Sequence, residues 1–238
     1  MFYIKLLFLL LVSISLYALP PEKINKISSD AYWHTLLHLR TENISDISDP
    51  DFFLSEKLSA KNELIATLDA LNEENRNETI CRFPARYRYL SVQLSLGLSF
   101  SHCENFQKFL QDSRGDSVSI GFASPYLDSP MSYFGHSFIK INKLDNIYFS
   151  QTISFAAEVP KDTGFFTLLY KGITGGFTGR YIASPYFKLH ENYSMIEQRS
   201  LTEYYLQLTD EEIERLLWHI YEIYDMDVKY KFFNENCA

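Results

Sequence analysis

Three runs decide the fold: Val118-Ser-Ile-Gly-Phe-Ala123, His136-Ser-Phe-Ile-Lys-Ile-Asn142 and Asn146-Ile-Tyr-Phe-Ser-Gln-Thr-Ile-Ser-Phe155. Apolar side chains alternate in them with polar or small ones, which is the period of a half-buried strand and not of a helix. Leu144-Asp145-Asn146 is turn chemistry, so the last two runs are predicted to pair as a hairpin. Further along, Thr209 with Glu212 three positions on forms a capping box. Ile213, Leu216, Leu217, Ile220 and Ile223 then carry a helix to about Tyr224, with Trp218 and His219 expected to pack on it. Tyr230 to Phe233 reads as a short extended approach to Asn234-Glu-Asn-Cys237.

Before Val118 the period is helical. Trp33, Leu36, Leu37 and Leu39 predict a helix over Ala31 to Leu39. Leu54, Leu58, Leu64, Ile65, Leu68 and Leu71 predict another over Pro50 to Glu73, with Asp49-Pro50 as its start. Asn72 to Thr79 reads as a polar linker. The fold class is therefore α+β, with N-terminal helices followed by a mostly antiparallel twisted sheet packed on helices. Gly172, Gly175, Gly176 and Gly179 lack a following Gly-Lys-Ser/Thr, which argues against a phosphate loop; a bent hairpin is expected there.

The composition excludes several classes. Of 238 residues, 46% are hydrophobic, so the chain can bury enough apolar surface to order itself. Nine glycines and eight prolines exclude collagen-like and low-complexity chains. A net charge of -8 argues against nucleic acid as a partner. Residues 1–18 read as a secretory signal: Lys5 is the only charge, and Leu6 to Leu16 is an apolar run too short to span a bilayer. An uncleaved anchor is the alternative. Residues 19–79 are then a helical N-terminal extension and residues 80–238 the main domain.

Three cysteines fall in two groups. In an oxidising compartment Cys81 and Cys103 can join, leaving Cys237; two buried thiols and an incidental third is the alternative. His34 and His38 are spaced i and i+4, as zinc ligands can be, but no third ligand is evident and no metal or other cofactor is expected. A metal-binding protein using them with a distant acid is the weakest of three functional readings. The pairing with most chemical content is His136, which opens a strand after Gly135, with Cys237: a nucleophilic thiol needs a base within hydrogen-bond reach.

Four phrases occur in one order: Cys81-Arg-Phe-Pro-Ala-Arg86, Ser124-Pro-Tyr-Leu-Asp-Ser-Pro130 leading into Phe134-Gly-His136-Ser-Phe, Tyr170-Lys-Gly-Ile-Thr-Gly-Gly176, and Phe233-Asn-Glu-Asn-Cys237. Over about residues 80 to 238 this resembles the Lnb-type N-terminal periplasmic domain family of bacterial envelope proteins, itself similar to the permuted papain-like (NlpC-type) superfamily. The resemblance implies a permuted papain-like fold in the periplasm. It implies Cys237 as nucleophile, His136 as general base, Gln151 or Ser154 as the polar group orienting the imidazole, and Cys81 with Cys103 as a structural pair. Arg82 and Arg86 are candidates to bind a substrate carboxylate, with exposed or structural arginines as the alternative. Permuted papain-like folds start a helix at the nucleophile, whereas this sequence stops at Ala238, so a truncated C-terminus is expected, and membrane association through a missing region is left open. The leading expectation is an envelope thiol hydrolase or acyltransferase acting on an amide or ester of a peptide or acyl substrate. The second is a non-catalytic binding or structural module of the envelope.

Overall fold

A computed structural model describes residues 19–127, 132–133, 135–160, 162–224 and 226–232. The first part is helical: α1 (Pro21–Ser28), α2 (Ala31–Leu36), a small ribbon of β1 (Leu39–Thr41) and β2 (Ile44–Ser45), then α3 (Ala60–Asp69), α4 (Arg76–Arg82), α5 (Pro84–Leu94) and α6 (Glu104–Ser113). The second part supplies β3 (Ser117–Ala123), β4 (His136–Asn142), β5 (Gln151–Ala157), α7 (Phe165–Thr174), β6 (Phe177–Pro185), α8 (Tyr186–His190), β7 (Leu201–Leu206), α9 (Asp210–Ile223) and β8 (Val228–Tyr230). The chain is α+β, with one antiparallel sheet in the order β7-β3-β4-β5-β6-β8.

Local chemistry explains where these elements depart from periodicity. The predicted third strand begins at Gln151, because the Asn146 side chain caps a 3-10 turn over Ile147–Phe149. The helix predicted over Pro50 to Glu73 is divided. Pro50–Phe52 is a 3-10 turn, and the N–H groups of Leu54 and Ser55 turn to the Glu63 carboxylate at 2.9 Å each. Ser59 then caps α3 afresh. The predicted linker over Asn72 to Thr79 holds the first turn of α4, so the proposed division at residue 79 falls inside a helix. The Gly172–Gly179 stretch is no bent hairpin: α7 ends there, with Gly175 at φ +84° as its left-handed cap. The capping box at Thr209 and Glu212 opens α9 as expected.

The sheet has two distinct faces. On one, Val118 and Ile141 pack against Ile213 and Leu217 of α9. On that side Phe155, Tyr181 and Val228 also join a core built from Trp33, Phe52, Leu64, Leu90, Phe106 and Trp218. The N-terminal helices and α9 therefore share one interior. On the other face, Phe138 packs under Tyr186 and Leu189 of α8. Beside it, buried Lys140 pairs with Glu203 at 2.8 Å and lies 3.8 Å from the centre of the Tyr186 ring.

Within the first part, Cys81 of α4 and Cys103 at the start of α6 form a disulfide. Arg86 ties the first part to the second. Arg86 lies wholly buried between the Phe52 and Phe83 rings, 4.0 and 4.2 Å from their centres. Its guanidinium bonds Glu63 at 2.9 Å and the Phe52 carbonyl at 2.8 Å, and lies 3.4 Å from Glu222 of α9. The Arg86 backbone N–H also donates to Glu222, at 2.9 Å. Burial pushes the Glu222 carboxyl up to about 7, against the pull of Arg86. Among the described residues no helix is long and apolar enough to cross a membrane.

Candidate functional site

His136 is the first residue of β4 and sits opposite Ala123, the last residue of β3. Gly135 delivers it there. With φ +86°, a side chain at that position would strain the backbone, and its Cβ would stand 2.8 Å from the Ala123 carbonyl oxygen. The His136 ring is buried on the α8 side of the sheet, with the Tyr193 ring centre 5.7 Å away. Tyr193 belongs to a π-helical turn, Glu191–Ile196, that continues α8; such turns are frequent at functional sites.

The chain then passes through Gln198 at φ 54° and brings back Arg199. Buried Arg199 donates to the carbonyls of Ser124 (2.6 Å) and Ala123 (3.0 Å), pairs with Glu197 at 3.0 Å, and lies 4.4 Å from the centre of the Tyr193 ring. It thus locks the end of β3 to the start of β7 and puts its charge beside His136. Burial first, and Arg199 second, hold the His136 imidazole down at about 4, with Glu197 pulling the other way. At neutral pH the ring is therefore uncharged in this surrounding. Tyr193, Glu197 and Arg199 were not legible in the sequence, since only the pairing of β3 with β7 brings them beside His136.

The other expected site residues are distributed unevenly. Ser154 pairs with Phe138 and shares the face of His136, as a diagonal neighbour at about 7–8 Å. Gln151 pairs with Ile141, and alternation turns it to the opposite face; it is not placed to orient the imidazole. Arg86 lies in the helical core across the sheet from His136 with no exposed surface, which corrects its candidacy as a substrate ligand and fits a structural arginine. Arg82 is half-exposed and donates to the Asp51 carbonyl, its guanidinium 3.9 Å from the Asp51 carboxylate. Cys237 lies outside the described residues, as do Ser129 and Phe134 of the matching phrases. The last described residue before it, Phe232, donates its N–H to the Gly172 carbonyl at 2.9 Å.

His34 and His38 do not form a metal pair. α2 ends at Leu36, and His38, at φ 51°, leaves the helix. The His34 ring bonds the Ser28 carbonyl at 2.8 Å, while His38 meets His219. Among the described residues one group of three potential ligands converges, Cys81, His102 and Cys103, and its two sulfurs are bonded to each other. A cleft of about 650 Å³ lined by Arg114, Asp116, Asp210 and Glu214 opens between α6 and α9. It lies at the opposite end of β3 from His136, about 20 Å along the strand.

The comparisons divide the chain. The Lnb N-terminal periplasmic domain matches residues 105–238, and a domain of unknown function, DUF7843, matches residues 25–93. The first match holds β3 through β8 and His136, and its description sets the domain in the periplasm. The second holds α1 through α5 with Arg86, whose partner Glu222 belongs to the first match. Searches of curated proteins and of solved structures returned no match. More than half of the chain is covered by one profile, and the chain belongs to the Lnb N-terminal periplasmic domain family.

Proposed function

We propose that this chain is a periplasmic thiol hydrolase or acyltransferase, exported on residues 1–18 and built as a permuted papain-like domain. Cys237 is its nucleophile and His136 its base. The observation that carries this reading is the placement of His136: a buried imidazole at the first position of a strand, delivered by Gly135 and packed beside Tyr193. The disulfide adds support, since of three cysteines it leaves Cys237 as the remaining thiol.

In this mechanism the imidazole takes the Cys237 proton, and the thiolate attacks the carbonyl carbon of an amide or ester. The tetrahedral oxyanion collapses as the proton passes to the leaving amine or alcohol. Water or an acceptor amine then attacks the thioester, gives its proton to His136, and returns Cys237 as the thiol. The polar group that orients the imidazole is then Ser154, which shares its face, or Glu197, whose charge acts on it, rather than Gln151.

Alkylation of the full chain by iodoacetamide, followed by mass spectrometry from pH 4 to 9, tests this reading. The expected result is Cys237 modification with a midpoint well below the ordinary thiol value of about 8.5, moving upward in His136→Ala. A midpoint near 8.5 that His136→Ala leaves unchanged, in a folded protein, would favour the non-catalytic module.

A further inference from the structure

Helix α7 carries its apolar stripe on the wrong side for a core helix. Phe166, Leu169, Tyr170 and Ile173, spaced i, i+3, i+4 and i+7, all point to solvent, with Phe166 84% and Tyr170 70% exposed. With Phe165 they fill an arc about 140° wide, the width usually turned toward an interior. Among the described residues, Leu168 and Gly172 turn inward against Phe232 and its neighbours, and Lys171 reaches over Phe177. Thr167, Lys171 and Thr174 form a separate polar arc.

We infer that this face of α7 docks on a zwitterionic lipid surface. Three observations select that occupant. A ten-residue helix is about 15 Å long and about 10 Å wide, far short of the roughly 800 Å² per partner that a stable protein interface needs, whereas a bilayer demands no matching partner. The arc mixes Phe, Tyr, Leu and Ile beside a single Lys, the composition that rests at a membrane–water boundary. Over residues 158–174 the charges cancel, Glu158 and Asp162 against Lys161 and Lys171, which suits neutral headgroups and gives anionic lipid no advantage. The family's periplasmic address puts such surfaces within reach. This inference stands apart from the Cys237–His136 reading and survives if that reading fails.

The test places tryptophan at the outermost position, Phe166→Trp, in the full chain; native Trp33 and Trp218 are buried and give a constant background. Phosphatidylcholine–phosphatidylethanolamine vesicles are expected to shift the emission to the blue, and lipids brominated on their acyl chains to quench it. Adding Leu169→Ser and Ile173→Ser should weaken partition about tenfold or more while leaving the circular dichroism unchanged. Because the signal reports position 166, lipid binding by Leu6–Leu16 does not imitate it. An emission unchanged by vesicles overturns the inference, as does a shift that requires anionic phosphatidylglycerol. A concentration-dependent dimer dissolved by the same substitutions, without vesicle binding, assigns the face to a second copy and also overturns it.

Discussion

The imidazoles of His38 and His219 meet Nε2 to Nε2 at 3.0 Å, their rings nearly parallel, although 181 positions separate them in the chain. One ring comes from the N-terminal helices and the other from α9, and the Nδ1 of His219 has no hydrogen-bond partner among the described residues. Burial first, then His38 and Arg86, hold His219 at about 3; burial and Arg86 also lower His38, against Asp46.

This pair makes stability depend on acid. The unfolded histidine binds its proton near 6.5 and the folded one near 3, so between these values only the unfolded chain is protonated. Its contribution is fully present above about 6.5 and is lost as pH falls toward 3. Relative to His219→Asn, wild type should lose up to about 1.4 kcal/mol per pH unit below 6.5. Urea unfolding of both proteins from pH 7 to pH 4.5 measures this; parallel curves would refute it.

At the candidate site, the two charges beside His136 act in opposite directions. Arg199→Gln should raise the imidazole's titration midpoint and Glu197→Gln should lower it further, read from the Cε1–H chemical shift. Equal shifts of one sign would indicate rearrangement of the loop rather than a field.

Gly135→Ala should cost about 1–3 kcal/mol, because the new Cβ demands a strained left-handed backbone and meets the Ala123 carbonyl. The same variant should displace the His136 ring and change its shift. Thermal unfolding and one spectrum check both effects.

Arg86→Ala should destabilise by about 3–5 kcal/mol, since Glu63 and Glu222 would remain buried without their cation. Arg86→Met with Glu63→Gln and Glu222→Gln should recover part of that loss. Denaturant midpoints of the two variants decide the matter, and a single variant as stable as wild type would contradict it.

Replacing Cys81 and Cys103 by serine should cost about 3 kcal/mol, from the loop of 22 positions that the bond closes. Reductant should lower the wild-type midpoint by a similar amount and leave the serine variant unmoved.

Elements held by local rules were readable in advance. β3 and β4 follow from period-two alternation, and α9 from a cap and a stripe that faces its own sheet. His136 stood out because a glycine followed by a strand is a local signal. What escaped depends on distant partners. Glu63 draws in the N–H groups of Leu54 and Ser55 and so ends a helix that periodicity continues. In α7 the stripe exists but faces outward, so glycines beside it suggested a hairpin. Arg199 reaches His136 only because β7 joins β3 across more than seventy residues. Arg86 resembled a ligand-binding arginine until α3 and α9 closed around it.

The arginine clasp also imposes an order of events. Glu63 and Arg86 leave the ribosome within one short stretch, whereas Glu222 follows 136 residues after Arg86. Until then a half-neutralised guanidinium has no dry place to settle, so premature collapse of the leading helices is discouraged. Closure of the clasp waits for α9, so the family segment that holds Arg86 is completed by a residue of the other.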